Sequence, residues 1–156
     1  MGRLILCLDS ATLVDLIRGR SPDVRENYRV AVQSGLEFVV PAVVMHELFS
    51  GMMASRNPAI ERKRMDETLV GLPVIDLTAG DVETTGRVAS DLRARGRSIG
   101  DIDTLIAGQA LARGWTVVTR NVRHFGRVEG LPLVDWATGP GLLSAQTIAA
   151  RVSMAD

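Results

Sequence analysis

A chain of 156 residues is long enough for one domain with a sizeable core. Its 46% hydrophobic and 23% charged residues exclude a disordered chain, and its formal net charge of zero argues against a protein that simply coats nucleic acid. The sequence has neither an apolar run long enough to span a membrane nor a signal-peptide pattern, so we expect a cytoplasmic protein without membrane contact.

Short apolar runs alternate with helical patterns from the N-terminus onwards. After the first run, Ser10 is the expected N-cap of a helix that Gly19 ends, and Asp101 is the expected N-cap of a later helix that Gly114 ends. Asn121 and His124 fall in a predicted loop. The predicted strands are 3–8, 37–40, 71–77, 115–119 and 131–134, and the predicted helices are 12–18, 22–34, 41–55, 59–70, 78–95 and 101–113.

This alternation predicts an α/β fold with a central, mainly parallel sheet and helices on both faces. We expect a single domain over 1–137. A C-terminal tail over 138–156 follows, with room for one short helix at 144–152.

Three carboxylates occupy positions that ordinary structure does not fully explain. Asp9 follows a buried strand, at the sheet edge where open parallel sheets bind ligands, although capping would also account for it. Glu47 lies on or beside the apolar stripe of its helix with no cation one turn away, so it needs a tertiary arginine, a hydrogen-bond network or a metal. Asp103 lies one turn into a helix that Asp101 already caps.

A fourth strand delivers polar residues to the same edge of the predicted sheet. Thr119 is its last residue, and Arg120 and Asn121 follow it directly. If these strand ends converge, the clustered carboxylates call for a cation, and oxygen ligands suit Mg²⁺ or Mn²⁺. The nearby loop could hold an RNA backbone through four basic residues, or it could be an ordinary solvated turn; these residues are Arg120, Arg123, His124 and Arg127.

Four sequence fragments resemble the motifs of the PIN domain, most closely those of VapC-type toxins from bacterial toxin–antitoxin pairs. In chain order they are LDSATLVDL (8–16), MHEL (45–48), GDIDTLIAG (100–108) and VTRNVRHF (118–125). The resemblance implies a metal-dependent endoribonuclease whose metal ligands are Asp9, Glu47 and Asp103. It also implies that Asn121 completes the catalytic set.

The chain departs from the family pattern at two positions. Asn121 stands where other members often have aspartate, and Ala11 stands where asparagine or serine is usual. Ser10 can supply a hydroxyl in place of the usual threonine, and we expect Ser10, Asp101 and Thr119 to support the metal ligands.

The resemblance further implies an RNA substrate, a cognate VapB-like antitoxin and a homodimer. Apolar positions on the helices that begin near Pro22 and Pro41 are the candidate dimer surface.

Other functions fit the residues less well. A phospho-receiver domain needs a lysine at a late strand end, but Lys63 lies in a mid-chain helix. A haloacid-type phosphatase needs a second aspartate where Ala11 stands, and a histidine pair would require His46 and His124 to meet. A catalytically degenerate binding or scaffold module stays open as the alternative from another class.

Overall fold

Five short parallel strands form one sheet in the computed structural model, which describes residues 3–138. Their order across the sheet is β3-β2-β1-β4-β5, so β1 is central and pairs with β2 on one side and β4 on the other. The strands are β1 (Ile5–Leu8), β2 (Glu37–Pro41), β3 (Val74–Ile75), β4 (Thr116–Val118) and β5 (Leu133–Val134).

Helices connect the strands and cover both faces of the sheet. Successive residues of β1, β4 and β5 are buried, which requires a cover on each face because side chains alternate along a strand. The predicted α/β architecture is therefore confirmed. The helices are α1 (Ser10–Arg18), α2 (Pro22–Gln33), α3 (Ala42–Met53), α4 (Pro58–Leu69), α5 (Ala79–Ala94), α6 (Asp101–Arg113) and α7 (Val122–Phe125), followed by a short 3₁₀ helix (Trp136–Thr138).

Two predicted helix starts were wrong by one residue. Asp9, not Ser10, is the N-cap of α1, because its carboxylate accepts the backbone N–H of Thr12 at 2.9 Å. Gly100, not Asp101, is the N-cap of α6, at a φ of 93° that only glycine adopts easily. Asp101 is consequently the first helical residue of α6.

Three further differences concern short elements. Pro41 ends β2 and precedes α3, although we expected it to be the first helical residue. The predicted strand at 71–77 contracts to Val74–Ile75. The predicted loop around His124 contains α7, since four residues give too little periodicity to be recognised. The helix expected at 144–152 lies outside the described residues.

None of the helices within residues 3–138 combines the length and apolar character needed to cross a membrane.

Candidate active site

The carboxyl ends of β1 and β4 bring the first site residues together. The two strands are parallel neighbours with Leu8 opposite Val118, and the N–H of Asp9 donates to the carbonyl of Val118 at 3.2 Å. Asp9 and Thr119, which follow these strands, therefore lie side by side at the edge where open parallel sheets bind ligands.

Asp9 is a buried carboxylate that has hydrogen-bond donors but no ion-pair partner among the described residues. Only 4% of the residue is exposed. Burial, and to a smaller extent the nearby charge of Asp103, raise its pKa to about 6, against the opposing effect of hydrogen bonds from the Thr119 hydroxyl and from Thr12. A carboxylate held this way gains from any cation that binds beside it.

Asp103 lies on the first turn of α6, where its Oδ2 atom has two partners. Asn121 donates its amide Nδ2–H to this oxygen at 3.1 Å, and Nδ1 of His124 lies 3.2 Å from it. The N–H of Asn121 in turn donates to Oγ1 of Thr119 at 2.9 Å. Since Thr119 also contacts Asp9, one hydrogen-bonded chain links the Asp9 carboxylate to the Asp103 carboxylate.

Glu47, the third expected carboxylate, lies on a different helix from Asp103. It lies on α3 and lines a small cavity of about 50 Å³ with residues of α1 and α4, and among the described residues its buried Oε2 atom has no hydrogen-bond partner. Within residues 3–138, no three His, Cys, Asp or Glu side chains are grouped closely enough to hold a metal ion together. Asp103 lies close enough to Asp9 for its charge to act on that carboxyl, whereas the joint ligand set with Glu47 stays a prediction.

The donor atoms at this edge nevertheless fit a hard divalent cation. Mg²⁺ commonly takes one or two carboxylates and completes its shell with water and substrate phosphate, so two carboxylates such as Asp9 and Asp103 would be enough to hold it. The raised pKa of Asp9 and the unpartnered oxygen of Glu47 are the features expected of carboxylates that lack a counter-ion.

Comparison with known proteins identifies the fold that carries this site. The family model described as "PIN domain" matches residues 6–131. The chain belongs to the PIN-domain family. The family resemblance of the four sequence motifs is thereby confirmed.

Similar proteins of known name include VapC proteins of this family. The chain is 31% identical over 130 residues to the "tRNA(fMet)-specific endonuclease VapC" of Shigella flexneri, covering 83% of this chain and 96% of the relative. It is 29% identical to "Ribonuclease VapC2" of Rickettsia felis over 133 residues, or 85% of this chain and 98% of the relative. These matches put the chain among the VapC-type PIN-domain toxins.

A solved structure supports the same assignment. The structure titled "Crystal structure of VapBC2 from Rickettsia felis bound to a DNA fragment from their promoter" superposes with a TM-score of 0.80 at 27% identity. The match covers 85% of this chain and 99% of that chain.

Asn121, which the motif resemblance matches to a position often occupied by aspartate, differs chemically from an aspartate. Its amide N–H donates to Asp103, a bond that an ionised aspartate could not make. Asn121 therefore gives Asp103 a hydrogen-bond donor where an aspartate would add a negative charge.

The other expected site residues of this PIN domain are distributed less tightly. Thr119 is fully buried between Asp9 and Asn121. Ser10 is half-buried at the start of α1, and Asp101 is exposed at the start of α6. Among the described residues, Thr119 forms hydrogen bonds consistent with its predicted role of supporting the metal ligands. Ser10 and Asp101 form no such contacts there.

The basic residues after β4 mostly contact the protein itself. Arg120 donates to Oδ2 of Asp15 at 2.8 Å, and Arg127 donates to the carbonyl of Ser98 at 3.1 Å. His124 lies against Asp103, whereas Arg123 is exposed on α7.

Sequence reasoning missed Asp15, the buried partner of Arg120. Asp15 lies on α1 three residues after Thr12, whose hydroxyl donates to the carbonyl of Val118, and both residues are almost fully buried. An acidic residue on the inward face of α1 was the available signal, because such a residue needs a distant cation.

Proposed function

We propose that this VapC-type protein is a Mg²⁺- or Mn²⁺-dependent endoribonuclease and acts as the toxin of a toxin–antitoxin pair. The observation that carries the proposal is the pairing of buried Asp9 with Asp103 at the carboxyl edge of the sheet. The names of its relatives, which describe ribonucleases and a tRNA(fMet)-specific endonuclease, support RNA as the substrate.

In this mechanism Asp9 and Asp103 hold the cation, and Glu47 is the third carboxylate expected to join them. When bound, the divalent ion neutralises charge on the scissile phosphate and activates a water molecule. Asn121 and His124 fix the Asp103 carboxylate through its Oδ2 atom, and Thr119 fixes Asp9.

The bond changes are those of phosphodiester hydrolysis. Water oxygen bonds to phosphorus, the bond from phosphorus to the 3′ oxygen breaks, and a proton from water passes to that oxygen. The expected products carry a 5′-phosphate and a 3′-hydroxyl. Arg120 and Arg123 are both exposed, and Arg123 is the loop residue best placed to contact the RNA backbone because only Arg120 of the two has an ion pair among the described residues.

The proposed protein partner is a VapB-like antitoxin, a pairing that the solved Rickettsia felis VapBC2 complex supports. An antitoxin arginine that enters the acidic cleft would match Asp9 and Asp103 in charge and geometry. We further propose a homodimer through α2 and α3, where Val32, Phe49 and Met53 are exposed, and a cytoplasmic place of action.

A specific observation favours one alternative, a PIN-like module that binds partners without cutting. The described residues hold no three-residue metal group, and Asn121 and Ala11 depart from the family pattern. Such a module would keep the fold and its partner but would neither bind metal nor cleave RNA.

The test is RNA cleavage by purified protein freed of any partner, with Mg²⁺ or Mn²⁺ and with EDTA. Asp9→Asn and Asp103→Asn are each expected to lower cleavage by at least about a hundredfold, since even residues that only support metal ligands contribute 10–100-fold. Glu83→Gln is the control, because it removes an exposed carboxylate from α5 and should leave the rate unchanged.

Equal loss in all three variants would contradict the assigned site. A folded wild type that binds no metal and cuts no RNA would instead support the non-catalytic module. Metal-stimulated cleavage that survives in Asp9→Asn would overturn the role of that residue.

A further inference from the structure

Most cations of the loop after β4 already have a partner within the protein, although the Arg120 side chain is still 52% exposed. Arg120 is held by Asp15 and Arg127 by Ser98, while His124 lies against Asp103. Arg123 is the loop cation without such a contact among the described residues. If this protein binds RNA, as proposed above, further phosphate contacts are expected from another part of its surface.

A second surface carries several arginines around one cavity. This cavity, here called the basic cleft, has a volume of about 710 Å³ and lies between the C-terminus of α1, the α3–α4 turn and the start of α4. One acidic residue, Glu61, lines it. The arginines that line it are Arg18, Arg20, Arg56 and Arg64.

The charges in the basic cleft are not balanced. Glu61 contacts both Arg18, at 3.3 Å, and Arg64, at 3.6 Å, so a single carboxylate serves two guanidinium groups. Arg20 and Arg56 are among the residues that line the cleft, and neither has a carboxylate within ion-pair distance in the part of the chain that the structure describes. Because the whole chain has zero net charge, this local excess of positive charge marks the cleft as a surface that attracts anions.

Two neighbouring features add to this positive potential. The N-terminus of α4, a helix of twelve residues, opens into the cleft, with Asn57 capping it by accepting the N–H of Ile60 at 3.2 Å. Arg25 of α2 lies beside Gly19, and its Nη2 atom is 2.5 Å from the position that a Cβ at Gly19 would take. The α1–α2 turn therefore carries a further guanidinium beside Arg18 and Arg20.

Helix α1 connects the basic cleft with the active site. Asp9 caps its first turn and Arg18 is its last residue. Nine residues at about 1.5 Å each put the cleft roughly 14 Å from Asp9 along the helix axis. An RNA strand of a few nucleotides, or a folded RNA, spans this distance, whereas a single nucleotide does not.

We propose that the basic cleft binds the phosphate backbone of the RNA substrate at a distance from the cleaved bond. The inference rests on the proposed ribonuclease function and narrows its substrate class to RNA large enough to occupy both sites. The arginines contact phosphates and not bases, so the cleft increases affinity for RNA without choosing the cleavage sequence.

The test combines binding and cleavage with a charge-matched control. Arg20→Glu/Arg56→Glu is compared with Arg87→Glu/Arg93→Glu, which makes the same charge change on exposed positions of α5. Binding of bulk transfer RNA is followed by fluorescence anisotropy at several salt concentrations, with all proteins carrying Asp103→Asn to prevent cleavage. Thermal melts verify that each variant is folded.

The cleft variant is expected to bind RNA more weakly by about tenfold or more. The slope of log Kd against the logarithm of the salt concentration should fall by about one for each phosphate that the variant no longer neutralises. The α5 control should match the parent protein. With Asp103 intact, the cleft variant should cut the same RNA with a raised KM and an unchanged kcat.

Equal affinity and equal salt dependence in the cleft and control variants would overturn the proposal, and so would equal loss in both. Normal RNA binding combined with loss of antitoxin binding would overturn it too, and would assign the cleft to a protein partner. If the wild type still cuts RNA only with metal, the proposed ribonuclease function stands whichever of these results is found. Failure of the cleft proposal can therefore be distinguished from failure of the proposed function.

Discussion

Asp9 combines a structural role with a chemical one. As the N-cap of α1 it accepts the N–H of Thr12, and as a buried carboxylate beside Asp103 it is the proposed cation ligand. Asparagine keeps an acceptor oxygen for the cap while removing the charge, since both residue types are good N-caps. Loss of activity in Asp9→Asn can therefore be separated from loss of the helix.

Arg120 is expected to contribute mainly to the stability of the fold. Arg120→Met leaves the carboxylate of Asp15 buried and unpaired, so we expect the free energy of unfolding to fall by about 1–3 kcal/mol in urea denaturation. The double variant Asp15→Asn/Arg120→Met removes both charges and should recover part of this loss.

The exposed residue Arg123 serves as the comparison, because Arg123→Met should leave stability unchanged. Unchanged stability in Arg120→Met, together with weaker RNA binding, would contradict the structural role and return Arg120 to the RNA-binding set.

The contact between α5 and α6 depends on a glycine. A Cβ at Gly108 of α6 would lie 2.5 Å from the Cα of Thr85 on α5, so the two helices approach at backbone distance. Gly108→Ala must push them apart, and we expect it to lower the free energy of unfolding by about 1–3 kcal/mol in urea denaturation.

Gly86 on α5 is the matched control, because a Cβ there meets no atom within 4 Å. Gly86→Ala should keep or raise stability, by up to about 1 kcal/mol, through the better helix propensity of alanine. Equal effects at the two glycines would mean that the helices do not pack as described.

The same helix pair is joined by an ion pair that should make stability depend on pH. Arg113 of α6 donates to both oxygens of Asp81 and holds the pKa of that carboxyl well below its usual range. Asp81 also completes the capping box of α5 with Thr78. Its contribution to stability is therefore present above its unfolded-state pKa of about 4 and is lost as the pH falls from there towards the lower folded-state pKa.

Asp81→Asn should accordingly melt several degrees below wild type at neutral pH, and the difference should shrink as the pH falls below about 4. The control Asp91→Asn breaks an exposed pair with Arg95 and should change Tm little. A Tm difference for Asp81→Asn that stays constant across this pH range would contradict the ion-pair explanation.

At the scale of the whole molecule, the sequence predicts the order of elements well because apolar runs and capping residues are local signals. Gly19 and Gly114 end their helices as expected, both with positive φ. The proximity of Asp9 to Thr119 follows from the parallel sheet, whose strand ends share one edge, whereas Asp103 reaches that edge from the start of α6.

Tertiary contacts could not be predicted in this way. The partner of Asp15 comes from Arg120, 105 residues away, and no periodicity records such a pair. Glu47 shows the same limit, because its helix and its partial burial follow from the sequence, whereas its distance from the other carboxylates depends on how α3 packs. The ligand set of Asp9, Glu47 and Asp103 stays a prediction.

The central position of β1 has a consequence for the newborn chain. Its partner β4, with Thr116 opposite Leu6, leaves the ribosome more than a hundred residues later, which takes on the order of ten seconds at about 5–20 residues per second. Asp9 is made early, but Asp103 and Asn121 arrive only near the end of this interval. A toxin with this strand order cannot cut RNA during most of its own translation, and an antitoxin has that time to be in place.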